Sequence, residues 1–387
     1  MSMHGRDVAI VGIGYSGVFR GPSPSIEALT LEACRAALAD AGLKAAEIDA
    51  IFEYQYAGDS PTTLWVQRAL GAGDMAAYGD IMGTGPSGLA TALNAVMAVA
   101  AGACETALAF RAIEQNAANN GAAKAGPAYT PGASLFQDEL TMPYGCFSIM
   151  PTVGMRMARR AALFGGSPED YGLVALNARR WAAMNPRAAQ KAPLTMDDYL
   201  SAKVLCDPLR LLDCDLPVSG ACAVIVTTAE RARDLVHPAV LVDAHAMGTG
   251  DGEWVFSSRF LEGGQARCAE RLWARSDLQP KDMHLAGLYD GFTYVTLTWL
   301  EALGFCGPGE AGAWLDGGRT IGPGGRLPVN TAGGQLAEGR LHGLSFLAEA
   351  ALQLRGGAGE RQVEDARNAV VGVSFGPQVG GMILRRG

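Results

Sequence analysis

Residues 34–54 (CRAALADAGLKAAEIDAIFEY) align without a gap to residues 269–289 (AERLWARSDLQPKDMHLAGLY) at an offset of 235. In each copy a helical stretch ends in a polar turn, an acidic residue follows, and an apolar run closes on Tyr. Leu43 meets Leu278, Lys44 meets Gln279, Glu47 meets Asp282 and Ile48 meets Met283. Repetition at this distance predicts an α/β chain of two similar halves, residues 1–235 and 236–387. Short apolar runs alternate with helical stretches, the pattern of sheets covered by helices. Strands are predicted over 8–13, 48–54, 106–110, 222–228 and 239–244, with two more around a Gly-rich turn after 370. A helix over 25–42 has Ser25 as its cap and Gly42 at its end. Between about 111 and 212 the pattern is less regular, and it predicts a loop domain inserted in the first half, with short helices at 151–163 and 168–184.

Composition narrows the function classes. Charge sums to −8, which argues against nucleic acid or an anionic membrane surface as partner. The eight cysteines never come closer than eight residues, and no C-x-x-C or H-x-x-x-H spacing occurs, so no metal is expected in this chain. With no leader in view, the expectation is a reduced, cytoplasmic protein without disulfides. Residues 89–110 are apolar enough to suggest a membrane span, but they are Ala-rich and carry Asn94 and Glu105. A helix buried in a tight core is the better reading. Gly12–Gly17 (GIGYSG) matches the dinucleotide fingerprint literally and follows a strand. Pro22 and Pro24 interrupt the helix that should open at once, and Glu32 falls inside the predicted helix, so no nucleotide cofactor is expected.

The most specific motifs lie in order along the whole chain. They are VAIVGIGYS at the start, GTGPSGL before the Ala-rich helix, LLDCDLPVSGACAVIV, YDGFT at 289–293, and NTAGGQLAEGRLHG at 330–343 with a Gly-rich end. Together they resemble the thiolase superfamily, especially the sterol-carrier-protein type of thiolase and its lipid-transfer-protein relatives. The resemblance implies the thiolase fold, two βαβαβαββ halves packed as α-β-α-β-α layers. It also implies positions that this sequence does not keep. The nucleophilic Cys of C-A-S-G aligns with Gly85-Pro-Ser-Gly88, and the activating His of G-H-P with Arg340 of Gly339-Arg-Leu341. The basic Cys of C-x-G aligns with Ser374-Phe-Gly376, and the water-orienting His or Asn with Tyr289.

Acyl transfer needs a soft nucleophile and a base that depresses its pKa. Gly85 offers neither, and Ser87 has no His partner in its sequence context. A retained scaffold with Tyr289 in that place resembles the aldolases that cleave steroid side chains. That resemblance implies retro-aldol cleavage of a β-hydroxyacyl-CoA to a ring ketone and a short acyl-CoA, with no covalent intermediate. By the same resemblance Tyr289 is catalytic. A second tyrosine of those aldolases falls where this chain has Arg340, so Arg340 is expected to hold the enolate or tune Tyr289, with His342 as base. Asp290, Gly85, Ser87, Gly334, Ser374 and Gly376 are the expected substrate-binding positions, and Asp290 is also read as orienting a loop or a helix N-terminus. Arg179, Arg180 and Arg187 lie where thiolases place nucleotide contacts. The implied partners are an acyl-CoA substrate, a second copy of the chain, and a small zinc-ribbon and OB-fold protein completing a heterotetramer, any zinc belonging to that protein. Two other readings stay open: a thiolase or acyltransferase with a displaced nucleophile such as Cys104 or Cys222, and a non-catalytic lipid or acyl-CoA carrier.

Overall fold

The structure, a computed structural model, describes residues 6–387 except 57, 83–86, 116–141, 147, 251–262 and 377. Nine strands form one mixed sheet, and β5 (Val204–Cys206) and β6 (Leu209–Arg210) pair apart from it. Its centre is the contact of β1 (Val8–Tyr15) with β8 (Val240–Thr249), where Ala9 faces Leu241 and Ile10 faces Val240. Outward from β1 run β7 (Ser219–Thr228), β4 (Thr106–Glu114), β2 (Ala50–Gln55) and β3 (Ala77–Met82). Outward from β8 run β11 (Gln378–Arg386), β10 (Asn368–Val373) and β9 (Leu285–Leu288). The two wings mirror each other strand for strand. The fifth strand of the second wing shrinks to one parallel bridge, Ala286 with Val329. Pro328 accepts from the Ala286 N–H at 3.0 Å but has no N–H to carry pairing further back.

The repeat read from the sequence is visible in detail. The turns Ala45–Glu47 and Pro280–Asp282 stand 235 residues apart and are closed alike. Lys44 N–H donates to Glu47 Oε2 at 2.8 Å, and Gln279 N–H donates to Asp282 Oδ2 at 2.9 Å.

Helices Leu89–Ala100 and Leu344–Arg355 fill the inner layer, each touching strands of both wings. The second is buried on nearly every side, which its apolar sequence permits. Helices Ile26–Ala41 and Gly264–Trp273 cover the outer faces. The first is capped as expected, Ser25 Oγ accepting from the Ala28 N–H at 3.3 Å and Gly42 closing it at φ +69°. The fingerprint-like glycines explain how closely it lies. A Cβ on Gly12 would stand 2.5 Å from the Ala37 carbonyl oxygen, and one on Gly14 2.0 Å from that of Ala33. Gly14→Ala is therefore expected to cost about 1–3 kcal/mol of stability by overpacking. A urea midpoint that falls at unchanged slope checks this.

Within the irregular section, helices Ile149–Phe164 and Pro168–Ala183 form close to the expected places. Asp170 accepts from the Ser167 N–H at 2.9 Å, starting the second helix. Both helices reach the second wing. Arg160 pairs with Glu301 in a buried ion pair, Nη1 donating at 2.7 Å, and Asn177 Nδ2 donates to the Val329 carbonyl at 3.0 Å. Among the described residues no helix is long and apolar enough to cross a membrane.

Candidate active site

The end of β9 carries Tyr289 into the interior against Phe346 and Phe375, with ring centroids at 6.3 and 5.8 Å. Its backbone N–H donates to the Gly372 carbonyl at 2.8 Å, so the side chain turns off the strand end into the interior. Burial pushes this phenol above its ordinary pKa, and Asp215 adds to the shift, while Arg340 and the Gln335 amide oppose it. At neutral pH the group is a neutral O–H donor.

Asp215 arrives from the end of the irregular section. Its N–H donates to the Gly291 carbonyl at 3.1 Å, beside a bridge between Cys214 and Phe292. Arg340 completes the group. Its N–H donates to the Leu216 carbonyl at 2.9 Å, and its guanidinium pairs with Asp215 at 3.3 Å. Burial raises the Asp215 carboxyl to about 6, against the pull of Arg340. A buried phenol, a carboxyl raised to about 6 and a cation thus lie close enough to act on one another's charge.

A second group faces it from the first wing. Arg111, on β4, is fully buried and donates to both Asp59 oxygens at 2.8 and 2.6 Å and to the Tyr54 carbonyl at 2.9 Å. It also lies 3.0 Å from His342 Nδ1. Arginine only donates, so Nδ1 is the acceptor and the imidazole carries its proton on Nε2. Burial, Arg111 and then Arg340 push the pKa of His342 well below the usual range. The base role expected for His342 is therefore corrected. Its basic lone pair is engaged by a cation, and what remains is an N–H donor.

The other predicted positions divide. Ser87, at φ +52°, is hydrogen-bonded to the Tyr54 phenol. The next residue, Gly88, donates to the His342 carbonyl at 2.6 Å, and a Cβ there would stand 2.7 Å from that oxygen. Only glycine lets the two loops meet. Asp290 is fully buried and accepts from the Gln335 N–H at 2.8 Å at the start of the short helix Gly334–Ala337. A Cβ on Gly334 would fall 1.9 Å from Asp290 Oδ2, so these two residues shape the turn behind Tyr289. Ser374, at φ +76°, accepts through its carbonyl from Trp299 Nε1 at 2.9 Å. Gly376 lines a separate cavity of about 170 Å³ with Arg156, Gln265 and Thr298. Gly85 lies outside the described residues. Arg187 is part-buried, its side chain 26% exposed. Its guanidinium lies 4.0 Å from the Tyr15 ring centroid and pairs with Glu338 at 3.5 Å.

The sequence reading passed over Asp215, Arg111, Asp59 and Tyr54. Burial holds both candidate thiols protonated. Burial raises Cys104 to about 12, and Cys222 is raised further beside Glu338. Among the described residues no group of three His, Cys, Asp or Glu is placed to hold a metal ion.

Residues 257–383 match the family model of the thiolase C-terminal domain-like family. The chain is 36% identical to the 17-hydroxy-3-oxo-4-pregnene-20-carboxyl-CoA lyase of Mycobacterium tuberculosis, over 97% of this chain and 98% of the relative. It is 35% identical to the steroid side-chain-cleaving aldolase of Thermomonospora curvata, over 99% of each. The chain belongs to the steroid side-chain-cleaving aldolases of the thiolase superfamily. A solved structure titled Ltp2-ChsH2(DUF35) aldolase superposes with a TM-score of 0.90 at 33% identity, covering 98% of both chains. Human mitochondrial 3-ketoacyl-CoA thiolase, at TM-score 0.68 and 15% identity, covers 99% of both chains and shares the fold. This aldolase thus keeps the thiolase frame, and in it Asp215 pairs with Arg340 near the buried Tyr289 phenol.

Proposed function

We propose that the chain is a carbon–carbon lyase that cleaves the side chain of a β-hydroxyacyl-CoA of steroid or bile-acid type by retro-aldol chemistry. The observation that carries this reading is the buried Tyr289 phenol set beside Asp215 and Arg340. The substrate hydroxyl sits on a ring carbon β to the thioester. Its proton passes to Asp215 by way of the Tyr289 O–H, the Cα–Cβ bond breaks, and the ring carbon becomes a ketone. The electron pair moves into the thioester as an enolate, which gains a proton at Cα and leaves as a shorter acyl-CoA. His342 Nε2–H supplies a donor to the enolate oxygen, and the low dielectric of the enclosure strengthens that bond. Arg340 keeps Asp215 ionised near neutrality.

The acid limb of kcat/KM is then expected near pH 6, where Asp215 loses its negative charge as pH falls. Arg340 lowers the Asp215 pKa, so Arg340→Met should raise it and move that limb to higher pH. A limb that stays in place contradicts the pairing. Intact-mass analysis after incubation with the acyl-CoA distinguishes the acyltransferase reading. The lyase leaves the protein unmodified, and a covalent acyl adduct would overturn it.

Two partners belong to this proposal. β3 is a sheet edge whose Tyr78 and Met82 side chains are 71% and 69% exposed, a surface suited to pairing with a second copy. The likeness to the Ltp2-ChsH2 aldolase supports a small partner protein, with a heterotetramer as the assembly and any zinc in the partner.

A further inference from the structure

We propose, resting on the lyase reading above, that Tyr54 is a second proton-transferring residue of this site, the repeat counterpart of Tyr289 supplied by the first wing. The ungapped alignment at offset 235 places Tyr54 opposite Tyr289. The structure gives that pairing a spatial meaning. β2 and β9 are each the fourth strand of their wing, counted from the central β1–β8 contact, and each follows the same closed turn. Tyr54 lies on β2, and Tyr289 immediately follows β9. The two rings come from opposite wings, and Tyr54 is among the groups that raise the Tyr289 phenol.

The surroundings of Tyr54 are those of a working proton donor. The ring is buried and meets His342 edge-on, with centroids 6.1 Å apart. Ser87 is hydrogen-bonded to its phenol, which places the group at the loop aligned with the thiolase nucleophile. The Arg111 guanidinium sits 5.2 Å from the ring centroid and is itself fixed by Asp59. Burial raises the phenol to about 12, so it starts protonated, and Arg111 opposes that shift. The same cation steadies the phenolate once the proton has left.

Retro-aldol cleavage needs two proton transfers at different atoms. The Tyr289 and Asp215 pair takes the proton of the substrate hydroxyl as the Cα–Cβ bond breaks. Tyr54 then gives its O–H proton to Cα of the thioester enolate, forming the C–H bond of the released acyl-CoA. Proton passage from the Tyr289 and Asp215 pair to the Tyr54 phenolate restores both groups. No oxidant or reductant enters, and Arg340 need not replace a second phenol.

The test uses the full-length protein in two reactions. One is cleavage of 17-hydroxy-3-oxo-4-pregnene-20-carboxyl-CoA, the ester named for the mycobacterial relative. The other is deuterium exchange at Cα of propionyl-CoA in D2O, which needs proton transfer at carbon but no bond cleavage. Tyr54→Phe is expected to slow both by about 100-fold or more. Tyr289→Phe is expected to lose cleavage and to slow the exchange as well, because the Tyr54 proton must reach Asp215 through the Tyr289 O–H before Tyr54 can take one from Cα. Exchange within about threefold of wild type in Tyr54→Phe would overturn the assignment. Wild type that neither cleaves nor exchanges would overturn the lyase reading, and this proposal with it. 3,5-Difluorotyrosine at position 54 preserves the ring and acidifies the phenol. It should move the alkaline limb of the exchange profile to lower pH, and an unmoved limb would again overturn the role.

Discussion

Tyr289→Phe is expected to lower kcat for side-chain cleavage by about 10³-fold, with the thermal midpoint little changed. The phenol O–H is the only group removed, and the ring keeps its contacts with Phe346 and Phe375. The size of the effect follows from the local chemistry. A tertiary alcohol in an apolar enclosure cannot shed its proton to water. It needs an oriented relay to a carboxylate, and Asp215 is held for that purpose by Arg340 and the Gly291 carbonyl. Because kcat should fall with little change in KM, the loss would mark an interaction made in the transition state. Near-normal turnover would remove Tyr289 from the reaction.

The second large effect concerns stability and activity together. Arg111→Met is expected to destabilise the fold by about 3–5 kcal/mol, as breaking a buried ion pair from one side does. Asp59 would lose both charged hydrogen bonds, and the Tyr54 carbonyl and His342 Nδ1 would each lose a donor. His342 would then be free to take its other tautomer, and the enolate would lose its N–H donor. Urea unfolding reads the first consequence. In the fraction that stays folded, a fall in kcat reads the second. A variant as stable as wild type would show that Arg111 is not the tie between the wings.

The two-winged fold was legible because its signals are local. Apolar runs, a capped first helix and turns closed by Glu47 and Asp282 are each specified within a few residues. Tyr289 and Arg340 stand out in the sequence because they sit inside long motifs whose ordinary residues they replace. Arg111 was missed although β4 reads T-A-L-A-F-R-A-I-E, with one cation in a strand buried along its length. A charge there must find a partner, but its partner Asp59 stands 52 residues away, across β3 and the Leu89–Ala100 helix. Asp215 was hidden differently. It follows Asp213, whose buried carboxylate instead accepts from Tyr199 at 2.7 Å, and sequence alone does not say which acid faces the pocket.

His342 shows why residue type does not fix role. Its assignment as base rested on chemistry available to any imidazole. The tautomer was decided by an arginine 231 residues away, brought near by the approach of Gly88 to the His342 carbonyl. Tyr54 is the opposite case. The repeat had already placed it opposite Tyr289, and only the convergence of the wings gave that alignment chemical meaning.

The central claim is that this thiolase frame breaks a carbon–carbon bond without forming an acyl-enzyme. The most direct measurement is product stoichiometry with 17-hydroxy-3-oxo-4-pregnene-20-carboxyl-CoA, with the candidate partner present. The account predicts equal amounts of the ring ketone and propionyl-CoA, each tracking substrate lost, and a protein of unchanged mass. An intact ester in the presence of folded complex, or an acyl group left on the chain, would contradict it.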